Sequence, residues 1–326
     1  MGSPSVTRLC RCLRAFGQPF RRLSLLLLSS LVLPLADAGA EERFAVESLV
    51  DGAPAERRSC SNEAGTVWVE HALGSECIRY FPSQHVDRAR IAVIEFHGDR
   101  LVGKKPVAYR DNSQAAQLKL AQQEADAAGV PWIRVGRPGV YGSSGDHRQR
   151  RQEKEFRTLD AAVTAIRRRH QIEQLVLVGH SGGATAVAAL LTMGRTDVRC
   201  AVMASGAFYL LERAADIRAR HAPAARAVAP SLLRDTTGLR HPYDPAQHIE
   251  GIAPDRDRVL IFVGDPQDTV APYALQRRFA SALMQAGHAV LIKPVEARGS
   301  AHHDTGLPAR ALAGRCAKEA FAKLRY

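Results

Sequence analysis

Aromatic residues make up only 6% of the 326-residue chain, and Lys is scarce, 7 against 38 Arg. With so few rings and no aromatic-studded motif beside the basic clusters, the chain lacks the stacking surface of a nucleic-acid binder. It has no C-x-x-C pair and no His/Cys spacing of a zinc site, so no metal is expected. It has no internal repeat and no Gly/Ser linker. The one long apolar run, Leu23 to Ala36, falls short of the roughly 20 residues that a membrane-spanning helix needs. What is present suits a large core: 46% of residues are hydrophobic and 24% charged, which excludes disordered and fibrous classes.

The formal charge of +12 depends on where the folded protein starts. Residues 1–22 carry five Arg and no acid, and the Leu-rich run that follows leads to Ala36-Asp37-Ala38 and Ala38-Gly39-Ala40. This is the layout of a secretory signal peptide, 1–38, cleaved after 38 or 40. Arg21-Arg22 hints at twin-arginine export, although the h-region suits the general route as well. Cleavage after Ala38 takes five Arg and one Asp and lowers the charge from +12 to +8. No Cys stands where a lipid anchor would need it, and no stable membrane insertion is expected afterwards. The expected location is periplasmic or extracellular.

Export also removes Cys10 and Cys12, leaving Cys60, Cys77, Cys200 and Cys316 in an oxidising compartment. Cys60 and Cys77 flank an alternating segment, 66–71, and a turn around Gly74, so a local disulfide there staples a hairpin. Cys200, in an apolar run, reads as a buried thiol.

From residue 66 onward, short apolar runs alternate with helical patterns, the signature of a doubly wound α/β domain with a mainly parallel sheet. Strands are expected at 66–71, 77–81, 91–96, 132–135, 175–178, 201–204, 259–263 and 289–292. Helices are expected at 113–128, 153–169, 183–193, 272–286 and 308–324. Residues 39–326 read as a single domain. The segment 207–257, rich in Ala and Arg and broken by five Pro, reads as a helical insertion after the sixth core strand, capping the sheet's carboxyl edge.

The most informative stretch is Leu175 to Ala186, which reads strand, Gly179-His180-Ser181-Gly182-Gly183, helix. A weakly nucleophilic hydroxyl must project from a tight turn, with small neighbours for close packing and a helix N-terminus facing developing negative charge. With this motif, His97-Gly98 after a strand, Gly139 to Ser143, Asp268-x-Val270 and a late His in order, the chain resembles an α/β-hydrolase over residues 66–324. It resembles the prolyl oligopeptidase and dienelactone hydrolase branch of small secreted esterases and peptidases.

The resemblance implies a Ser…Asp…His order with Ser181 as nucleophile and no cofactor. Asp268 matches the family's D-x-V-x-P position, with Asp265 as the alternative acid. Gly299-Ser300-Ala301-His302 matches its small-small-small-His pattern, which favours His302 as base over His303. The oxyanion hole is expected from the backbone N–H of Gly182 and of Asp99. An Asp is unusual in that second place, and its charge must point away or be paired, with Arg100 the candidate partner. Tyr141 and His180 are candidate pocket residues, and Phe208, Tyr209 and Tyr243 offer another wall. The Arg clusters 148–151 and 167–169 read as solvated helix faces rather than a nucleic-acid site. The leading function is an exported serine esterase acting on a small ester. A peptidase or amidase with the same triad, and a non-catalytic hydrolase-fold binding protein, are the alternatives.

Overall fold

The computed structural model describes residues 43–221, 233–319 and Leu324; the expected signal peptide lies outside them. Two short helices, α1 (Val46–Asp51) and α2 (Arg57–Asn62), precede a hairpin of β1 (Thr66–His71) and β2 (Gly74–Pro82). Then come β3 (Ile91–Phe96), a two-stranded ribbon of β4 (Leu101–Val102) and β5 (Lys105–Pro106), α3 (Gln114–Ala128), β6 (Trp132–Val135) and α4 (Glu153–His170). The second half runs β7 (Gln174–His180), α5 (Gly182–Thr192), β8 (Val198–Ala204), α6 (Leu210–His221), β9 (Val259–Gly264), α7 (Tyr273–Gln285), β10 (Ala289–Pro294) and α8 (Gly306–Lys318).

Eight strands form one sheet in the order β1-β2-β6-β3-β7-β8-β9-β10. The pairings β1·β2 and β2·β6 are antiparallel and the rest parallel, so the expected doubly wound, mainly parallel sheet is present. Residues alternate between the two faces of a strand, and helices cover both faces, which is why the strands read as nearly continuous apolar runs. Ala92, Ile94, Phe96, Leu175, Leu177, Ala201, Met203, Leu260 and Phe262 join one core. Val93, Val176, Val178, Cys200, Val202, Val259, Ile261 and Val263 join the other, with Ala309, Leu312 and Ala313 of α8.

Cys60 and Cys77 are bonded as expected, across 17 residues. Cys200 is not a thiol: it is bonded to Cys316 across 116 residues and fastens α8 to the central strand β8. Closing a loop of that length limits the unfolded chain by about 4–5 kcal/mol in the chain-entropy account. Neither the apolar run around Cys200 nor the helix around Cys316 signals a partner that far along the chain.

The described part of 207–257 carries α6 and two 3₁₀ turns. Its aromatics mostly pack inward. Phe208 is fully buried against Phe262 and Phe279. Tyr243 stacks on His248 and lines a cavity of about 550 Å³ with Thr192, while Tyr209 lies under the Arg278 guanidinium. Among the described residues no helix is long and apolar enough to cross a membrane.

Candidate active site

Ser181 stands between β7 and α5 with φ 55° and ψ −119°, a left-handed conformation that aims its hydroxyl off the turn. The flanking glycines are required by contact. A Cβ on Gly179 would meet the Gly183 carbonyl oxygen at 2.2 Å, and one on Gly183 would meet the Phe96 carbonyl oxygen at 2.2 Å. Helix and strand therefore approach through the two positions the motif leaves bare. The Ser181 N–H donates to Ala204 O, which ties the turn to β8.

The structure brings His303, not His302, to Ser181. His303 Nε2 lies 2.9 Å from Ser181 Oγ, and its Nδ1 lies 2.9 Å from Asp268 Oδ2. His302 faces away, with Nδ1 3.1 Å from Asp265 Oδ2. The reason is local: His302 has φ 52° and closes a turn onto Gly299 O, so the next residue's side chain swings toward Ser181. The alternative acid Asp265 is occupied elsewhere, accepting the N–H groups of Gln267 and Ala297. Asp268 accepts from the N–H groups of Val270 and Ala271, which fixes its carboxylate toward His303.

The ring of His180, a candidate pocket residue, packs beside that of His303. Its Nε2 lies 2.8 Å from the His303 carbonyl oxygen, and since a carbonyl only accepts, Nε2 carries the proton. Burial, with His303 beside it, pulls this imidazole from 6.5 down to about 4, so it is neutral near pH 7 and holds the His303 backbone. The residue before Ser181 thus braces the backbone of the residue whose ring meets Ser181 Oγ.

The loop after β3 is pinned by its own histidine. His97 Nδ1 donates to Gly98 O at 2.7 Å, and its Nε2 accepts the Arg137 N–H at 3.2 Å. Burial, reinforced by Arg100 and Arg137, holds the ring well below its ordinary value and therefore neutral. Asp99 follows, and its carboxylate lies against Gly182, where an added Cβ would meet Asp99 Oδ1 at 2.0 Å. Its charge is paired, but not by Arg100. Arg137 holds Oδ1 at 2.9 Å, while Arg151 and Arg150 hold Oδ2 at 2.8 and 3.1 Å. Burial pushes this carboxyl up, and Arg151, Arg137 and Arg150 outweigh it and hold it well below the usual carboxylate range.

Arg100 instead donates to the Tyr141 hydroxyl at 2.9 Å. Tyr141 is 3% exposed, stacked on Tyr109 and set edge-on to His97, so it backs the loop. The solvated-face reading fails for part of the first Arg cluster too: Arg150 and Arg151 are 7% and 3% exposed and belong to the Asp99 network. Arg148, on Asp146, does face solvent. No signal in the sequence separates it from its two neighbours.

No protein-family model matches this sequence, and no curated protein matches it. Solved structures do. An acylaminoacyl peptidase of Pyrococcus horikoshii superposes with a TM-score of 0.51 at 15% identity, over 78% of this chain and 39% of the peptidase. The chain spans about two fifths of that protein's length. The esterase Pf2001 of Pyrococcus furiosus gives 0.47 at 13% identity over 75% of this chain and 90% of its own, and Est1E of Butyrivibrio proteoclasticus 0.48 at 14% over 77% and 96%. The strand order, the turn that carries Ser181 and the likeness to the peptidase together identify the chain as having the α/β-hydrolase fold.

Proposed function

We propose that this protein is an exported serine hydrolase that cleaves carboxylic esters through an acyl-Ser181 intermediate. The observation that carries the reading is the continuous line from Ser181 Oγ through the His303 ring to the Asp268 carboxylate. His303 Nε2 takes the hydroxyl proton as Ser181 attacks the ester carbonyl, then returns it to the leaving alcohol. Water, deprotonated by the same nitrogen, releases the acid and restores Ser181. Asp268 keeps the Nδ1–H tautomer and stabilises the imidazolium.

The oxyanion of the tetrahedral intermediate is assigned to the backbone N–H of Gly182, at the start of α5, and that of Asp99. The three arginines on the Asp99 carboxylate hold that backbone still and cancel a charge that would otherwise repel the oxyanion. Export is supported by the two disulfides, which suit an oxidising compartment. The partner is then a small-molecule ester, with neither nucleic acid nor bilayer required.

A second reading keeps the triad and changes the leaving group to an amine, and the name of the structurally similar acylaminoacyl peptidase favours it. Parallel turnover of p-nitrophenyl acyl esters and aminoacyl-anilides separates the two. A fluorophosphonate probe is expected to label Ser181 in the wild type and not in Ser181→Ala. Folded protein that stays unlabelled and turns over neither substrate class leaves a non-catalytic binding protein as the reading.

A further inference from the structure

The arginines on Asp99 are part of a longer row. Arg151, besides Asp99, places Nη1 3.3 Å from Asp235 Oδ2 and 2.5 Å from the Thr236 hydroxyl. Arg213 of α6 reaches the same hydroxyl with Nη1 at 3.1 Å and the Val270 carbonyl with Nε at 2.9 Å. Two guanidinium groups thus share one neutral acceptor, an arrangement that brings like charges together. Arg213 is 5% exposed, has no carboxylate within ion-pair distance among the described residues, and its Nη2 has no hydrogen-bond partner among them.

Of the four guanidinium groups in the row, Arg213 alone touches no carboxylate among the described residues: Asp99, Glu155 and Asp235 pair with Arg137, Arg150 and Arg151, and Asp268 acts on Arg213 only from beyond contact. Burial, with Arg151 adding to it, lowers Arg213 from its ordinary value to about 10, against the pull of Asp99, Asp268 and Asp235. A buried cation with no carboxylate in contact is costly unless an anion joins it. One end of the row lies against Gly182, next to the nucleophile, and the other is Val270, two residues past the triad acid.

We propose that Arg213, together with Arg151, binds a carboxylate of the substrate, so that the preferred esters carry a negative charge on their acyl or alcohol part. The planar fork of a guanidinium suits a carboxylate, and Nη2 of Arg213 supplies an open donor for it. This inference rests on the serine-hydrolase reading above. The plainer role for Arg213 is a tie between α6 and the acid loop, which would act on every substrate alike.

The test compares kcat/KM within two matched pairs on the purified full chain. For the acyl side, the mono-p-nitrophenyl ester of adipate is set against p-nitrophenyl hexanoate. For the alcohol side, 4-acetoxybenzoate is set against 4-acetoxybenzamide. We expect one anionic member to exceed its neutral partner by at least about tenfold, mainly through a lower KM, and the pair that shows it tells where the charge sits. Arg213→Gln is expected to cut that ratio about tenfold or more, with Arg213→Lys keeping part of it. Equal or lower rates for both anionic members in the wild type overturn the proposal, which needs no variant to fold. A ratio that Arg213→Gln leaves intact overturns it as well. Absence of Ser181 labelling and of any ester turnover removes the hydrolase reading instead; labelling without an anionic preference removes only this one.

Discussion

Two His–Asp pairs stand side by side in this molecule, made by consecutive histidines and by acids three residues apart. Nδ1 of His303 is 2.9 Å from Asp268 and Nδ1 of His302 is 3.1 Å from Asp265, so as pairs they are nearly equal. They differ at the other ring nitrogen. His303 Nε2 meets Ser181 Oγ, whereas His302 is 34% exposed in its side chain and lines a surface cavity of about 380 Å³ with Asp265, Pro266 and Glu296. A carboxylate can orient an imidazole anywhere. The orientation becomes chemistry only where the imidazole also reaches a hydroxyl held in a strained turn.

The largest break in this comparison comes from His303→Ala. It is expected to lower kcat on p-nitrophenyl esters by about 10³-fold or more, with Asp268→Asn close behind because it spoils the tautomer rather than the ring. Steady-state rates alongside circular dichroism check it. Near wild-type turnover in a folded His303→Ala protein would remove the assignment of the base.

Much of this was legible beforehand, for identifiable reasons. Strand periodicity and Gly spacing are local, so β3, β6 and the Ser181 turn follow from adjacent residues, and the Cys60–Cys77 pair flanks its own hairpin. The choice between His302 and His303 is not local. It depends on a left-handed φ at His302, which no side-chain pattern announces, and the small-residue motif before it points one position early. The same limit hid the Cys200–Cys316 bond and the arginines on Asp99, because each joins segments far apart in sequence. Arg100 was the obvious partner by adjacency, while the actual partners lie 38, 51 and 52 positions on.

A smaller effect distinguishes the two regions by pH. His180 braces the His303 backbone, and its pKa falls from 6.5 unfolded to about 4 folded. Between those values the unfolded chain binds a proton that the folded chain refuses, so stability falls as pH drops through this window and is unaffected above 6.5. Buried His97 and His147, also held well below the ordinary value, act in the same direction. Asp304 near His180 opposes its shift without reversing it. Thermal unfolding is expected to shift down by about 5 °C or more between pH 7 and pH 4.5. His180→Gln, which keeps a donor for the His303 carbonyl but does not titrate, is expected to flatten part of that slope. An unchanged slope would show that His180 is not one of the groups responsible.

The smallest effect belongs to the second pair itself. His302→Asn removes the imidazole from Asp265 while supplying a residue that tolerates φ 52°, so the turn that delivers His303 survives. Asp265 keeps its bonds to the Gln267 and Ala297 N–H groups. With the bond to a one-third exposed ring screened by solvent, its loss should shift the melting temperature by no more than about 2 °C and kcat/KM by less than about fivefold. His302→Ala should do worse than His302→Asn, because alanine keeps the backbone strain and gains nothing at positive φ. If both variants lose activity to the same degree as His303→Ala, the ring of His302 takes part in the chemistry and the distinction between the pairs collapses. If Asn is tolerated and Ala is not, the residue matters for its backbone: the left-handed turn at 302 is what makes the next histidine the base.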